Sequence, residues 1–525
     1  LLITAYKMVI DQVKLNRQLL VFSRWKTGKA INSVLKQAYG LFLAVTGFGK
    51  TYVLIIAIKE MNVRHPDRTT IIVVPTSKLL QDWIGFWSED ATGNKVWIKG
   101  HIELHDLKNI QVFVVNTYVK YKDWNCDLLG LDECHHYSNE DSQYFSTILT
   151  ITTCKFLFAM SATLSKKQEE FFAKLNIPVI DRIDQVEAQN SNYVVNSIVY
   201  NLGIELSKAD QLFNDDINDK FKFYFSRFNH EFELVKACNG KKGLPIGVKL
   251  KNGTYLGKRT SSEWINEIAR INKYDGNTNH PYSPQNISRN AAQCMNIIMK
   301  RKDKWQNFPS KLDLAVKLIH KFSTSNIICF SETSIFAEKL VSLLPDICLA
   351  YHSKLTSVVI ENNKYVEIQD KLDKENYKTE GLKILGPTKR KKLAISRFSD
   401  PADSIRVLST VRALDEGADI PCIDFVIQLA YSSTGRQNIQ RNGRASRVDS
   451  NNVDKKALIV NFYMKGTQEE KWLVEKQKDA NMSVFWVDSI NEIVINKSLK
   501  LSNHVSGEIT IKKSDIVSTI SGSDS

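Results

Sequence analysis

Two stretches of the chain share one pattern: short apolar runs, each closed by a polar or glycine-containing turn, alternate with amphipathic segments. The first stretch carries Leu41–Val45, Thr70–Val74, Val112–Val115, Leu128–Leu131 and Phe156–Ala159. The second carries Asn326–Phe330, Arg406–Leu408, Phe425–Ile427 and Ala457–Val460. Nearly continuous apolar strands spaced by helical segments are what a parallel sheet covered on both faces requires. The expected fold class is therefore α/β, with two tandem parallel-sheet domains at residues 1–197 and 306–490.

Between them, over residues 198–305, the pattern breaks. Asp210 to Phe228 reads as a polar helix with an aromatic stripe, and Leu244 to Leu256 alternates around Asn252-Gly253, a strong short-range hairpin signal. This region is expected to be an interdomain insertion, helical and bearing a basic hairpin. A second excursion, about Ser353 to Leu385, is dense in Lys, Asp and Glu and reads as a solvated polar loop of the second domain. Residues 491–525 form a C-terminal extension whose Ser/Gly-rich end is expected to be mobile.

Candidate chemistry begins at Thr46-Gly47-Phe48-Gly49-Lys50-Thr51, placed between an apolar strand and the helical pattern Tyr52–Ala57. Glycines let backbone N–H groups close around phosphate oxygens, and the helix N-terminus adds partial positive charge. Lys50 would neutralise β and γ phosphates, and Thr51 would ligate Mg²⁺. Ala44 stands where the full phosphate-loop pattern has its first glycine. The run Leu128-Leu129-Gly130-Leu131 closes in Asp132-Glu133. Asp132 would hold Mg²⁺ through its water shell, and Glu133 would polarise the attacking water.

Asp132-Glu133-Cys134-His135 resembles the Asp-Glu-x-His box of superfamily 2 helicases. Further matches follow in that family's order: Val74-Pro75-Thr76 with Leu79-Leu80-Gln81-Asp82-Trp83, Asn116-Thr117-Tyr118 and Ser161-Ala162-Thr163. The second domain adds Cys329-Phe330-Ser331, Tyr351-His352-Ser353, Leu414 to Pro421, and Gln440 to Arg447. The ordered set spans about Gln18 to Phe462 and looks most like the UvsW-like and XPB-like DNA repair and phage recombination helicases, less like the Asp-Glu-Ala-Asp RNA unwinding group.

The resemblance implies two RecA-like lobes of the P-loop NTPase class with ATP and Mg²⁺ between them. It implies that Gln18 reads adenine, that His135, Ser161, Thr163 and Gln440 link hydrolysis to lobe movement, and that Gly417 and Asp419 face the nucleotide. Arg444 and Arg447, spaced to share one helical face, would reach the γ phosphate as fingers that cannot lose their proton. Thr76, Thr117, Ser331 and Thr410 would grip one nucleic-acid strand by its phosphates. Capping of helices is the competing role for such hydroxyls.

Charge agrees with a polyanionic partner. Lys and Arg outnumber Asp and Glu by 71 to 57, a net +14. Outside the family pattern, Lys249 and Lys251 on the hairpin, with Lys258, Arg259, Lys241 and Lys242 nearby, read either as a DNA-backbone contact or as a solvated surface. The run Lys389-Arg390-Lys391-Lys392 is expected to begin a helix reaching Phe398, where its charge opposes the helix dipole and favours a ligand role. The eight cysteines are scattered without a C-x-x-C pair, which suggests neither a zinc ribbon nor a disulfide scaffold and points to a reducing, intracellular compartment. Consecutive residues of an extended segment point opposite ways, so Cys134-His135-His136 is a poor metal cluster. No apolar run approaches the roughly 18 residues of a membrane span, and no signal peptide is recognisable. The first residue is Leu1, so the natural N-terminus is expected to lie upstream. With Gln18 so near the start, grip on branched DNA is expected from the middle insertion, a preceding segment or a protein partner. Three readings stand: a DNA helicase or branch-remodelling enzyme, a double-strand translocase of a restriction-type complex, and an RNA-directed ATPase.

Overall fold

The structure is a computed structural model of the chain. It describes residues 2–494 except 28–30, 33–36, 66, 85–86, 90–94, 100–101, 105–108, 139–143, 241–242, 362–363, 369–383, 412–419, 421–422, 431–440, 442–444, 446–456 and 478–483.

A seven-stranded sheet organises the first lobe. Its spatial order is Ile31–Asn32, Gln37–Ala44, Thr152–Ser161, Trp124–Leu131, Thr70–Val74 and Ile110–Val114, with Val179–Ile183 also pairing Gln37–Ala44. All pairings but that of Ile31–Asn32 are parallel. Because successive side chains leave a strand on opposite faces, the sheet splits its apolar residues between two cores. Phe42 and Ala44 enter one with Trp25, Leu54 and Ile58, while Leu41 and Leu43 enter the other with Tyr118, Tyr137 and Phe172. Each fully buried side chain of this size contributes about 1.5–3 kcal/mol. Three short antiparallel strands, Trp87–Glu89, Lys95–Lys99 and Ile102–Leu104, form a separate small sheet.

A second seven-stranded sheet is parallel throughout, in the order Cys348–Tyr351, Val407–Thr410, Ile327–Phe330, Phe425–Gln428, Ala457–Met464, Ser197–Ile204 and Val484–Val487. Here the structure departs from the boundary expected at residue 198. Ser197–Ile204 is a fully buried strand of the second lobe, paired residue for residue with Ala457–Met464. The polar Asn201 interrupts the apolar run of this strand. The Asn201 amide donates to Gln477 Oε1 at 2.6 Å and accepts from Asn461 Nδ2 at 2.9 Å, so its burial is compensated.

The intervening region therefore loops out between two strands of the second lobe. It has a core of its own, built on Phe228, Val235, Val248, Trp264, Ala291 and Cys294. The aromatic-striped helix spans Lys208–Ser226. Ser283 caps the long helix Pro284–Gln306 through Asn286 N–H, with Pro284 in the first turn, where its missing N–H costs nothing. The expected hairpin pairs Ile246–Lys249 with Tyr255–Arg259. Gly253 N–H donates to Leu250 C=O, and Gly253 sits at φ +91°, the left-handed position a three-residue hairpin loop demands. The Ser353–Leu385 excursion is less polar than expected: Val358–Glu361, Lys364–Glu367 and Ile384–Leu385 form a small antiparallel sheet, and Val358 and Val359 are buried. The basic run Lys389–Lys392 lies in the first half of the helix Pro387–Ser399, as its pattern predicts.

Candidate nucleotide site

Three neighbouring strands of the first sheet bring the predicted chemistry together. Gln37–Ala44 ends in the Thr46–Thr51 loop, Thr152–Ser161 ends in Ser161, and Trp124–Leu131 ends in Asp132-Glu133. The strand carrying Ser161 lies between the other two.

The loop is held from below and behind. Phe48 is wholly buried, edge-on to Phe42 at 5.8 Å and to Tyr193 at 5.3 Å. Gly47 and Gly49 lie at φ +93° and +92°, which an L side chain rarely adopts. A Cβ at Gly49 would stand 2.8 Å from Gln18 Nε2. Gly49 also precedes the helix Lys50–Arg64 and offers no side chain to cap its first amides; Tyr52 N–H donates to the Gly49 carbonyl at 3.0 Å. Lys50 Nζ donates to the Ala44 carbonyl at 3.2 Å, so the residue replacing the expected glycine supplies a backbone acceptor. Thr46 and Thr51 are half-buried at the loop's two ends. Gln18 is buried on the helix Leu2–Thr27 and its Nε2 donates to the Phe48 carbonyl at 3.1 Å.

The acidic box is a connected network. Asp132 Oδ2 accepts from Trp83 Nε1 at 3.0 Å, and Oδ1 accepts from Glu133 N–H at 3.0 Å. Glu133 adopts φ +47°, uncommon for a residue with a side chain and costing about 1 kcal/mol or more. His135 Nδ1 lies 2.9 Å from Ser161 Oγ and 3.4 Å from Glu133 Oε2. Ser161 Oγ contacts Glu133 Oε2 at 3.4 Å and the Thr163 carbonyl at 3.2 Å, so Thr163 takes part through its backbone.

The second-lobe residues fall differently. Gly417, Asp419, Gln440, Arg444 and Arg447 lie outside the described residues. Arg441 is buried, with its guanidinium 4.9 Å from the Phe330 ring centre. Ser331 and Thr410 are both fully buried; the Thr410 hydroxyl donates to the Tyr351 carbonyl at 2.7 Å, whereas among the described residues the Ser331 hydroxyl has no hydrogen-bond partner. The two residues also tie adjacent strands, through Ser331 N–H to Thr410 C=O at 2.8 Å. In the first lobe the Thr76 hydroxyl accepts from Leu79 N–H at 3.2 Å, a helix-capping contact, while Thr117 is exposed. Lys249 and Lys251 are exposed on the hairpin.

Comparison with known proteins follows the same division. Residues 5–166 match the family described as type III restriction enzyme, res subunit, and residues 310–449 match the helicase conserved C-terminal domain. Together the two matches support a superfamily 2 helicase. The chain is an ATP-dependent nucleic-acid motor enzyme by virtue of both domains. The helicase is 22% identical over 446 residues to the DNA 3'-5' translocase XPB2 of Sulfurisphaera tokodaii, covering 84% of this chain and 81% of that protein. Among solved structures it is similar to S. cerevisiae Dbp5 bound to RNA and ADP BeF3, at 13% identity and TM-score 0.44 over 86% of each chain. It is also similar to a fragment of an HsdR subunit of a type I restriction enzyme from Vibrio vulnificus, at 14% identity and TM-score 0.46, covering 91% of this chain and 69% of that one.

Charge within the helicase's acidic box is uneven. Burial, then the neighbouring Glu133 carboxylate, push Asp132 above the usual carboxylate range, against the Trp83 hydrogen bond and the Lys50 charge. For Glu133 burial works in the same direction, but the Lys50 charge and the His135 ring override it and hold its carboxyl below the usual range. Asp132 is buried and Glu133 half-buried, and the Lys50 charge acts on both carboxylates. Among the described residues no group of three or more His, Cys, Asp or Glu could hold a metal ion. Cys134 is buried and its thiol is pushed well up by burial, so it stays protonated and inert. The seven described cysteines are all free and buried. Among the described residues no helix is long and apolar enough to cross a membrane.

Some parts of this network carry no sequence signal by themselves. Trp83 enters the sequence reading as the last residue of the Leu79–Trp83 match, with no role assigned to it, yet it is 1% exposed and its N–H holds the acidic box. A buried indole N–H needs a partner, which is the one clue available beforehand. Tyr137 donates to the carbonyls of both Val73 and Asp132 at 3.1 Å, and Gln168 donates to the His135 carbonyl at 3.2 Å and the Ser138 hydroxyl at 3.0 Å.

Proposed function

We propose that this helicase couples hydrolysis of Mg-ATP to translocation on DNA and to unwinding or remodelling of forked or branched DNA in replication, recombination or repair. The single observation that carries the reading is the contact series Glu133–His135–Ser161–Thr163 beside Lys50, which joins a water-activating carboxylate to the end of a second strand. In this reading Gln18 positions the loop and reads adenine. The Gly47–Thr51 amides and Lys50 bind phosphate. Glu133, kept ionised near Lys50, accepts a proton from the attacking water. Mg²⁺, held by Thr51 and by Asp132 through water, would neutralise charge developing on the phosphates. His135 and Ser161 sense whether Glu133 is engaged and pass that state to Thr163. Arg444 and Arg447 would complete the site from the second lobe, with Gln440, Gly417 and Asp419.

On the nucleic-acid side, Thr76 and Thr117 remain proposed phosphate contacts, and Lys249 and Lys251 are proposed to meet the DNA backbone from the hairpin. The net charge of +14 supports such sequence-independent contacts. A second reading, a double-strand translocase subunit of a restriction-type complex, is favoured by the match of residues 5–166 to the type III restriction family, and would require a nuclease partner. The deciding experiment is ATP turnover with single-stranded DNA, duplex DNA, forked DNA and RNA, with Glu133→Gln as control. Forked or branched DNA is expected to stimulate most. Stimulation by plain duplex alone favours the translocase, stimulation by RNA alone overturns the choice of substrate, and full turnover in Glu133→Gln overturns the catalytic assignment.

A further inference from the structure

The phosphate loop is fastened to the segment that leaves the first lobe. Lys14 lies one helical turn before Gln18 on the helix Leu2–Thr27, so both side chains emerge on one face. Its ammonium donates to the Gly47 carbonyl at 2.7 Å and to the Tyr193 carbonyl at 3.3 Å. The next loop residue, Phe48, packs its ring against the ring of the same tyrosine at 5.3 Å and 78°. Two consecutive loop residues thus meet Tyr193 by independent contacts, one polar and one apolar.

Tyr193 occupies a decisive position in the chain. Its N–H and that of Val194 both donate to the Ala188 carbonyl, at 2.8 and 3.2 Å, which anchors the end of the first lobe. Ser197, four residues on, begins the strand that runs through the second sheet. No other element intervenes. A cation between two carbonyls is a stiff link: a shift of Gly47 that rotates its peptide either breaks the Lys14 contact or carries Tyr193 with it. The loop is also where a nucleotide phosphate would act, because turning its amides toward an anion necessarily turns its carbonyls on the other side of each peptide.

We infer that Lys14, with Tyr193, is a positioning pair that transmits the state of the phosphate loop to the connection entering the second lobe; this rests on the reading of that loop as the ATP site. Lys14 touches carbonyls of the protein and acts through the loop, and its removal is expected to uncouple lobe movement from nucleotide binding. Coupling of this kind changes a response about fivefold or more.

The test uses the full chain with one dye on each lobe, through Lys155→Cys and Leu343→Cys, sites that are exposed while the seven described native cysteines are buried. Binding of a fluorescent ATP analogue and the change in dye separation on adding a non-hydrolysable analogue are measured separately, together with KM, kcat and the DNA-stimulated to basal ATPase ratio. The unaltered pair should bind nucleotide and change separation. Lys14→Met should still bind nucleotide but lose most of the distance change and about fivefold or more of the stimulation ratio. Lys14→Arg, which retains the cation, should restore much of both. Tyr193→Leu keeps an apolar residue against Phe48 and should lose part of the distance change. It should add little to Lys14→Met, because the two act through one connection. A full distance change in Lys14→Met or in Tyr193→Leu overturns the inference. So does a raised KM with the ratio intact, which would make Lys14 a plain phosphate contact. If Lys14→Met does not fold, Tyr193→Leu and Lys14→Arg decide. Nucleotide binding without any distance change in the unaltered lobes overturns the inference alone, whereas absence of nucleotide binding overturns the ATP-site reading and the inference with it.

Discussion

Trp83→Phe isolates one hydrogen bond in the acidic box. The indole N–H reaches Asp132 Oδ2 at 3.0 Å, and both side chains are almost completely buried. Phenylalanine keeps the apolar ring but removes the donor and part of the ring volume. Two costs follow. The packing cost of a smaller aromatic in the same pocket is about 1 kcal/mol and does not depend on pH. Loss of a hydrogen bond to a charged acceptor adds about 1.5–3 kcal/mol, but only while Asp132 is ionised. Burial and Glu133 already raise Asp132 above the usual carboxylate range, and the Trp83 bond opposes that rise. Removing it raises the folded-state value further.

The sign is fixed by linkage. A carboxyl whose folded pKa exceeds its unfolded value of about 3.9 binds its proton more tightly when folded, so stability grows as pH falls through the folded value. Trp83→Phe should therefore cost roughly 2.5–4 kcal/mol in the first lobe's unfolding transition at about pH 8, and approach the packing cost near about pH 5. Urea titrations at the two pH values, with the first-lobe transition followed separately from the second, measure the difference. In an Asp132→Asn background the pH dependence of the Trp83→Phe penalty should vanish. A penalty equal at both pH values in the Asp132 protein would refute the claim that the indole acts by holding a buried charge.

The remaining expectations concern the loop, its supporting helix and the hairpin. Gly49→Ala should cost about 1–2 kcal/mol because φ is +92°, and it should also raise KM for ATP, since the new Cβ would displace the Gln18 amide 2.8 Å away. Arg17 bonds Asp181 at 2.6 Å and Glu187 at 2.9 Å, and Arg24 bonds Asp181 at 2.7 Å. Burial works against the Asp181 charge, but Arg17 overrides it and lowers its pKa, so this contribution is complete above the ordinary carboxylate value and lost as pH falls through the depressed folded one. Arg17→Met should weaken the first lobe by about 2 kcal/mol at neutral pH, with Arg24 limiting the loss, and acid unfolding should begin at higher pH. Lys249→Glu with Lys251→Glu should weaken DNA-stimulated turnover and reduce the salt slope of DNA binding by about one per lost phosphate contact, and an unchanged slope would remove the hairpin from the DNA path.

What the sequence disclosed and what it hid divide along physical lines. Backbone requirements leave residue signatures: Gly47 and Gly49 are glycines because positive φ and close approach demand them, and Asn252-Gly253 marks its turn for the same reason. Strands covered on both faces are legible as apolar runs, which is why both sheets could be anticipated. Compensated polar burial is not legible. The partners of buried Asn201, which are Asn461 and Gln477, lie far along the chain. Lys14 looks like any solvated helical lysine until the two carbonyls it joins are placed beside it. Hydroxyls are ambiguous. Ser331 and Thr410 stand at strand ends, where phosphate contacts are expected, yet both are buried and Thr410 bonds the Tyr351 carbonyl.

The sheet order supplies a reason for Ser161 that its sequence neighbourhood does not. The phosphate loop and the acidic box belong to strands that never pair with each other, because Thr152–Ser161 runs between them. Register places Ser161 opposite Leu43 on one side, while Ala159 pairs Leu131 on the other, so Ser161 lies two residues beyond the acidic strand's last residue, level with Glu133. Any rearrangement of Glu133 toward a water at the γ phosphate must change its 3.4 Å contact with Ser161. The same hydroxyl also lies within 2.9 Å of the His135 ring and bonds the Thr163 carbonyl at 3.2 Å. In the reading proposed above, Lys14 and Tyr193 would sense the loop and Ser161 would sense the acid. The two routes leave the nucleotide site in different directions, so uncoupling one by mutation should leave the other's response to nucleotide measurable, and their separate loss would distinguish phosphate binding from engagement of the catalytic carboxylate.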